Sequence, residues 1–362
     1  MTMLFEPLRV ASLGTGQEQF VNSYIFEGSE DLPRVYIQAN LHGAETQGNA
    51  VIAILIEFFK ANPPLGTVQL IPMVNPLGIN QKVGTHTYGR YHPAEGENYN
   101  RAYQDISLQI DFDGLIEDFS GLSIGELDDR FKTLIQESLN KKRVELSQYG
   151  LSYNQQLCLL LQQQASKADI VLDLHCDTQS IEHVYAASFE LDKAKDLEFP
   201  VIYEIPEKFG GALDEACFMP WVNLSKALNL PNPVESYTLE LGCEELWDSS
   251  LAAEQGGRIL SFLAKRGVVA GGDSLKSEPV ESFVAKLEKL RKYRSPVGGN
   301  IEYYKKPGER VKVGDLLAKI HSFDQNGLKS HSIAARRSGL VMAHLSTSIC
   351  LEGMKVIQVL EL

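Results

Sequence analysis

The sequence predicts an α/β protein, a mixed, largely parallel central sheet flanked by helices, followed by a small C-terminal all-β domain. Three observations carry that expectation. Short apolar, β-branched runs alternate with helix-period segments as far as residue 265. A Gly/Ser-rich stretch then interrupts the pattern at 267–279 (GVVAGGDSLKSEP). Beyond it, turn residues divide the chain into short strand-like pieces. Strands alternating with helices at this scale imply a sheet covered on both faces. The expected division is an α/β catalytic domain over 1–266, a linker over 267–280 and a β-rich domain over 281–362.

The elements follow in chain order. Residues 34–39 (RVYIQA) read as a buried strand, and 46–60 as a helix with apolar positions near 3.6-residue spacing that stops before Asn62-Pro63-Pro64. A second strand is expected over 68–74. Ser123 and Glu126 form an S-x-x-E capping box that opens a helix over 126–139. A Leu/Gln/Ala-rich helix over 153–167 leads into a strand at 169–174. A strand at 236–241 and a helix at 251–265 complete the α/β part. Residues 283–294 fit a helix period about as well as a strand period.

Composition narrows the function classes. The 362 residues carry 34 Lys+Arg against 47 Asp+Glu, a formal charge of −13, which argues against a nucleic-acid or anionic-membrane surface. Cys158, Cys176, Cys217, Cys243 and Cys350 are odd in number, widely spread and without a C-x-x-C, so neither a disulfide framework nor a zinc finger is expected. The first residues lack a basic segment leading into an apolar one, and the longest apolar patch, 51–59, is interrupted by Glu57. A cytoplasmic protein without a membrane span is the expectation, and homo-oligomerisation is left open.

The chemistry-bearing residues sit where the predicted strands end. His42 and Glu45, in ANLHGAETQGNA, follow the first strand and lead into the first helix. Imidazole nitrogen and carboxylate oxygen are both zinc-ligand atoms, and a catalytic zinc commonly takes three protein ligands. Ligand sites of open α/β sheets lie at the carboxyl ends of strands, which is where this pair falls. A second H-x-x-E, His92 to Glu95, sits beside Pro93 in a Gly/Tyr/Pro-rich segment with no helix after it. Asp173-Leu174-His175 ends a later strand and offers a third ligand. Glu240 interrupts an apolar strand, where an unpaired carboxylate is costly. It reads as a general base or as half of an ion pair across the sheet. Arg90, Asn100 and Arg101 lie in an Asn/Gly/Tyr/Arg-rich stretch suited to gripping a carboxylate or polarising a carbonyl. Gly121-Leu122-Ser123-Ile124-Gly125 matches the serine-hydrolase G-x-S-x-G, but acidic residues rather than a buried strand precede it.

With His42-Gly43-Ala44-Glu45, Asn98-Tyr99-Asn100-Arg101, Asp173-Leu174-His175 and Thr238-Leu239-Glu240-Leu241-Gly242 in this order, the chain resembles the succinylglutamate desuccinylase/aspartoacylase family, a branch of the zinc carboxypeptidase fold. The resemblance implies one zinc ion (Zn2+) per chain held by His42, Glu45 and His175, with Glu240 as general base and proton shuttle. It also implies Asn100 and Arg101 as holders of a substrate carboxylate, and Arg90 as the arginine that polarises the scissile carbonyl. The family's Asp-Leu-Asn-Arg appears here with Asn98 in first place, so support of a ligating histidine would pass to another group such as Glu97. The implied activity is zinc-dependent hydrolysis of an N-acyl amide in a small acyl-amino acid or acyl-amine. The alternative is a zinc carboxypeptidase acting on short peptides. The acyl pocket is expected near the segments after Asp177 and around Gly210-Gly211, with access narrowed by the tail. In that tail, residues 306–315 resemble half of a biotinyl/lipoyl-type barrel and Ser338-Gly339-Leu340-Val341 begins the other half, without a modifiable lysine in carrier context.

Overall fold

The computed structural model describes residues 3–271 and 280–362. The predicted linker therefore lies largely outside the described residues. Nine strands form the main sheet: β1 (Leu4–Ser12), β2 (Glu18–Phe26), β3 (Val35–Ala39), β4 (Val68–Ile71), β5 (Ile170–Asp177), β6 (His183–Ala187), β7 (Val201–Ile205), β8 (Glu235–Cys243) and β9 (Phe283–Lys286). Their order is β1-β2-β4-β3-β5-β8-β6-β7-β9. Pairing is parallel throughout except at β1/β2, β2/β4 and β8/β6.

The four strands expected from sequence are the middle of this sheet. Every residue of β3 and β4 is buried, as central strands covered on both faces require. Helices α1 (Gln47–Ala61) and α5 (Ser249–Lys265) cover one face, packing Val51, Leu55, Phe59, Ile259 and Leu263 against Ile37, Leu172 and Leu239. On the other face lie α3 (Tyr153–Ala165) and α4 (Leu213–Leu228), which bring Leu157, Leu161, Leu213 and Cys217 against Tyr36 and Val171.

A further long helix, α2 (Ile124–Ser147), is longer than its sequence pattern suggested. Its last turns are polar and solvated, so no apolar period marks where it stops; the chain turns away at Gly150, whose φ is +87°. Ser123 caps this helix through a complete capping box with Glu126, the role expected of it in place of a nucleophile. Among the described residues no helix is long and apolar enough to cross a membrane.

Residues 283–294, ambiguous in sequence, form two strands, Phe283–Lys286 and Leu290–Arg294, separated by a 3-10 turn at Leu287–Lys289. Phe283–Lys286 pairs in parallel with β7, so the large sheet gains its last strand from beyond the predicted linker. The chain then enters two smaller antiparallel sheets that pack Ile301, Leu317, Ile320, Val341 and Ile357 together. There Arg310–Val311, in the first expected half-barrel, pairs with Gly339–Leu340 in the second. The tail is joined to the α/β part by backbone pairing of Ser180 with Ala343 and Gln179 with His344.

Candidate active site

The candidate site lies at the carboxyl ends of three adjacent parallel strands, β3, β5 and β8. Their register fixes its geometry. Gln38 lies opposite Asp173, Ala39 opposite Leu174, and His175 opposite Glu240. Side chains two residues apart on a strand share a face, so Asp173 and His175 project together from β5.

His42 and Glu45 are not in a helix, as their spacing might suggest. α1 begins at Gln47, and the pair occupies a tight turn between β3 and α1 in which the Glu45 N–H donates to the His42 carbonyl at 3.1 Å. That turn, rather than helical i,i+3 geometry, brings the two side chains together. Two neighbours hold it. Asn40 adopts a left-handed backbone, φ 65°, and its side-chain amide donates to the carbonyls of His42, Gly43 and Glu45 at 2.9, 3.1 and 3.2 Å. Gly43 lies against the backbone of Gly78, where a Cβ would come within 2.1 Å of the Gly78 carbonyl oxygen.

Within the site, the carboxylate of Glu45 bridges both histidines. His42 Nδ1 lies 2.8 Å from Oε1, and His175 Nδ1 lies 2.7 Å from Oε2. The opposite ring nitrogens are engaged elsewhere: His42 Nε2 with Asn98 Oδ1 at 3.0 Å, and His175 Nε2 with Asp173 Oδ2 at 3.0 Å. Such outer contacts fix the tautomer and aim each Nδ1 at the shared centre. All three side chains are buried, and one ligand atom from each lies within 4.8 Å of the others.

A metal ion fits this donor set. Tetrahedral zinc with bonds of ~2.0–2.1 Å separates its ligand atoms by about 3.3 Å, so only a small opening of the present contacts is required. His42, Glu45 and His175 can therefore hold a metal ion. Burial would raise the Glu45 carboxyl, but the charges and hydrogen bonds of His42 and His175 outweigh it and hold Glu45 well below the usual carboxylate range. Burial would lower His175, but Asp173 and Glu45 lift it well above an ordinary imidazole. Burial keeps His42 low.

The role of the substituted family position is clear in this geometry. Asn98 itself contacts His42, and its Oδ1 also accepts the N–H of Asn100 at 2.8 Å. The exposed side chain of Glu97 does not take over, contrary to the sequence expectation. Behind His175 runs a buried polar chain that sequence reading missed: Tyr36 donates to Gln38 at 2.7 Å, and Gln38 donates to Asp173 at 2.8 Å. The D-x-H pattern was its available signal.

The other expected residues gather on the same cavity, of about 610 Å³. Arg90 reaches in from its loop and donates to Glu45 Oε1 at 2.9 Å. Asn100 is buried, its Nδ2 is 3.4 Å from His175 Nε2, and its Oδ1 has no partner among the described residues. Arg101 lines the cavity and donates to the Asn100 carbonyl. Glu240 lines it too, with Oε2 buried and unpartnered. Among the described residues it makes no ion pair across the sheet. Burial, reinforced by the Glu45 charge, pushes its carboxyl up to about 8. The second H-x-x-E is elsewhere, with His92 stacked on the Tyr153 ring at 5.6 Å.

Near the segments expected to form the acyl pocket, Asp177, Thr178, Ala212, Asp214 and Glu215 line the cavity. Leu290, Lys292, Lys355 and Gln358 complete it from the tail, and Gln358 donates to Asp177 at 3.2 Å.

Comparison with known proteins agrees with this arrangement. Residues 31–136 match the model of the succinylglutamate desuccinylase/aspartoacylase catalytic domain. A crystal structure from Shewanella frigidimarina NCIMB 400, named as a succinylglutamate desuccinylase/aspartoacylase, is 34% identical over 99% of this chain and 97% of its own, with a TM-score of 0.92. A family protein from Shewanella amazonensis SB2B is also 34% identical, over 98% of each chain, with a TM-score of 0.91. The ectoine utilization protein EutE (DoeB) from Ruegeria pomeroyi shares the fold at 16% identity and a TM-score of 0.69, over 99% of this chain and 94% of its own. No curated protein matches. With near-complete coverage at 34% identity by two structures, and the motif-bearing strands meeting at one buried centre, the chain belongs to the succinylglutamate desuccinylase/aspartoacylase family.

Proposed function

We propose that this protein is a zinc-dependent amidohydrolase that removes an acyl group from the nitrogen of a small acyl-amino acid. The observation that carries the reading is an unpartnered, strand-borne Glu240 in the same cavity as a buried His42/Glu45/His175 donor set. Zinc held there would supply Lewis acidity toward the acyl carbonyl and lower the pKa of water to about 7.

The chain's own groups do the rest. Glu240 takes a proton from the attacking water and returns it to the leaving nitrogen, which leaves as the amine while the acyl group leaves as a carboxylate. The guanidinium of Arg90 faces the oxygen on which negative charge develops. The Arg101 guanidinium and the Asn100 side-chain N–H donate to the substrate carboxylate. A cavity of this size with a wall from the tail favours acyl-amino acids over the peptides of a carboxypeptidase. The free thiols of all five cysteines suit a reducing cytoplasm.

The test is metal analysis with an assay of N-acetyl, N-succinyl and N-formyl amino acids. Glu240→Gln should retain about one zinc yet lose on the order of 10²–10⁴ in kcat. Glu240 works ionised, so activity falls as pH drops through its pKa. Burial sets that at about 8 and a neighbouring divalent cation lowers it, so the acidic limb of kcat/KM should lie below 8. Normal turnover by Glu240→Gln would overturn the reading.

A further inference from the structure

The cavity contains a second carboxylate that the proposed hydrolysis does not use. Asp214 stands in the first turn of the 16-residue helix α4, is 3% exposed, and lines the cavity. Among the described residues no cation pairs with it. It accepts the N–H of Glu215 at 2.9 Å, and Thr238 lies beside it on the cavity wall. Burial, with Glu215 next to it, pushes its carboxyl up to about 7. A group left in that condition gains from an added positive charge.

Its position says which part of a substrate it meets. Thr238 precedes Glu240 by two residues on β8, so it faces the same side and lies about 7 Å deeper along the strand. Asp214 and Thr238 line the same cavity as Glu240, on the strand side that lies deeper than the point where the amide nitrogen leaves. The turn that carries it packs on the residue expected to hold the substrate carboxylate. Gly211, at φ +98°, lies so close that a Cβ there would be 3.0 Å from the Arg101 carbonyl oxygen. The amino-acid half held by Arg101 and the side-chain space floored by Asp214 are therefore one compartment.

We propose that Asp214 determines specificity, selecting Nα-acyl amino acids whose side chain ends in a cationic amine of about lysine or ornithine length. The inference rests on the deacylase reading above. In such a substrate the carboxylate meets Arg101, the scissile nitrogen lies at Glu240, and the ammonium replaces the missing partner of Asp214. A neutral chain of the same length leaves a buried carboxylate without a counter-charge, which is the costly alternative.

The experiment compares kcat/KM of the zinc-loaded protein on Nα-acetyl-L-lysine, Nα-acetyl-L-ornithine, Nα-acetyl-L-norleucine and Nα-acetyl-L-glutamate. Expected is a preference of about tenfold or more for a basic substrate over norleucine, with that ratio falling about tenfold in Asp214→Asn. The wild-type preference stands as a test even if the variant does not fold. Hydrolysis without a basic preference, or with preference for glutamate, overturns the role of Asp214 and leaves the deacylase reading intact. A ratio unchanged in a folded Asp214→Asn also overturns it. No hydrolysis of any amide overturns the deacylase reading, and this inference with it.

Discussion

At the scale of single residues, the site depends on groups that touch no substrate. Asp173 is a fully buried carboxyl group, and its position is tolerable because it pairs with both Gln38 and His175. Its contact with His175 Nε2 leaves Nδ1 facing Glu45. Asp173→Asn removes the charge while keeping the volume, and a weakened outer partner typically lowers metal affinity by about 10–100-fold. That loss should appear in competition against a zinc chelator, with secondary structure unchanged. Equal zinc retention would mean that Asp173 serves the core rather than the centre. His42 is held differently, by the neutral Asn98. An amide oxygen accepts the Nε2 proton but adds less basicity than a carboxylate, so the burden of charge falls on the Asp173 side.

At the scale of elements, the two glycine- and serine-bearing turns that the sequence made conspicuous differ in purpose. The turn at His42–Glu45 is functional because Gly43 lets the Gly78–Gly89 loop approach, and the Gly43 N–H donates to the Gly89 carbonyl at 2.8 Å beside Arg90. Gly43→Ala forces these backbones apart. Overpacking of this kind costs about 1–3 kcal/mol, and it should also depress kcat by displacing Arg90. Ser123→Ala removes only a helix cap, at about 1 kcal/mol, and should leave kcat/KM within about twofold. Thermal unfolding and amide hydrolysis on both variants separate the cases, and loss of turnover in Ser123→Ala would restore a nucleophilic role to that serine.

The same elements show why some of the fold was legible and some was not. β3, β5 and β8 are built on buried apolar runs, so their ends, and the candidate ligands near those ends, could be located from local pattern. Glu240 stood out because it broke such a run. Asn40 did not stand out, since its left-handed backbone has no local composition signal. β9 was ambiguous because four residues with mixed exposure acquire strand character only by pairing with β7, some eighty positions earlier. Asp214 could not be recognised as a cavity residue because the helix that carries it is brought to Thr238 by tertiary packing alone.

At the scale of the whole molecule, the tail supplies one wall of the cavity. It is fixed to the α/β part by strand pairing at Gln179–Ser180, by the Thr178 hydroxyl donating to the His344 carbonyl at 2.8 Å, and by Gln358 on Asp177. Leu290, Lys292, Lys355 and Gln358 thereby become one wall of the cavity. The two lysines place positive charge at that wall in a chain whose net charge is −13, which favours entry of substrates bearing a carboxylate. A cavity of about 610 Å³ lies within the range of small-ligand sites and well short of an extended peptide cleft. Lengthening the substrate on the acyl side should therefore be penalised sterically. Replacing an N-acetyl amino acid by the corresponding N-acetylated tripeptide should lower kcat/KM by about a hundredfold or more, because mispositioning of the reacting atoms by about 1 Å already costs that much. The loss should be relieved in part by Lys355→Ala combined with Leu290→Ala, which clears the tail wall without touching His42, Glu45, His175 or Glu240. Equal turnover of the tripeptide by the wild-type protein would mean that the wall does not restrict access and would favour the carboxypeptidase alternative.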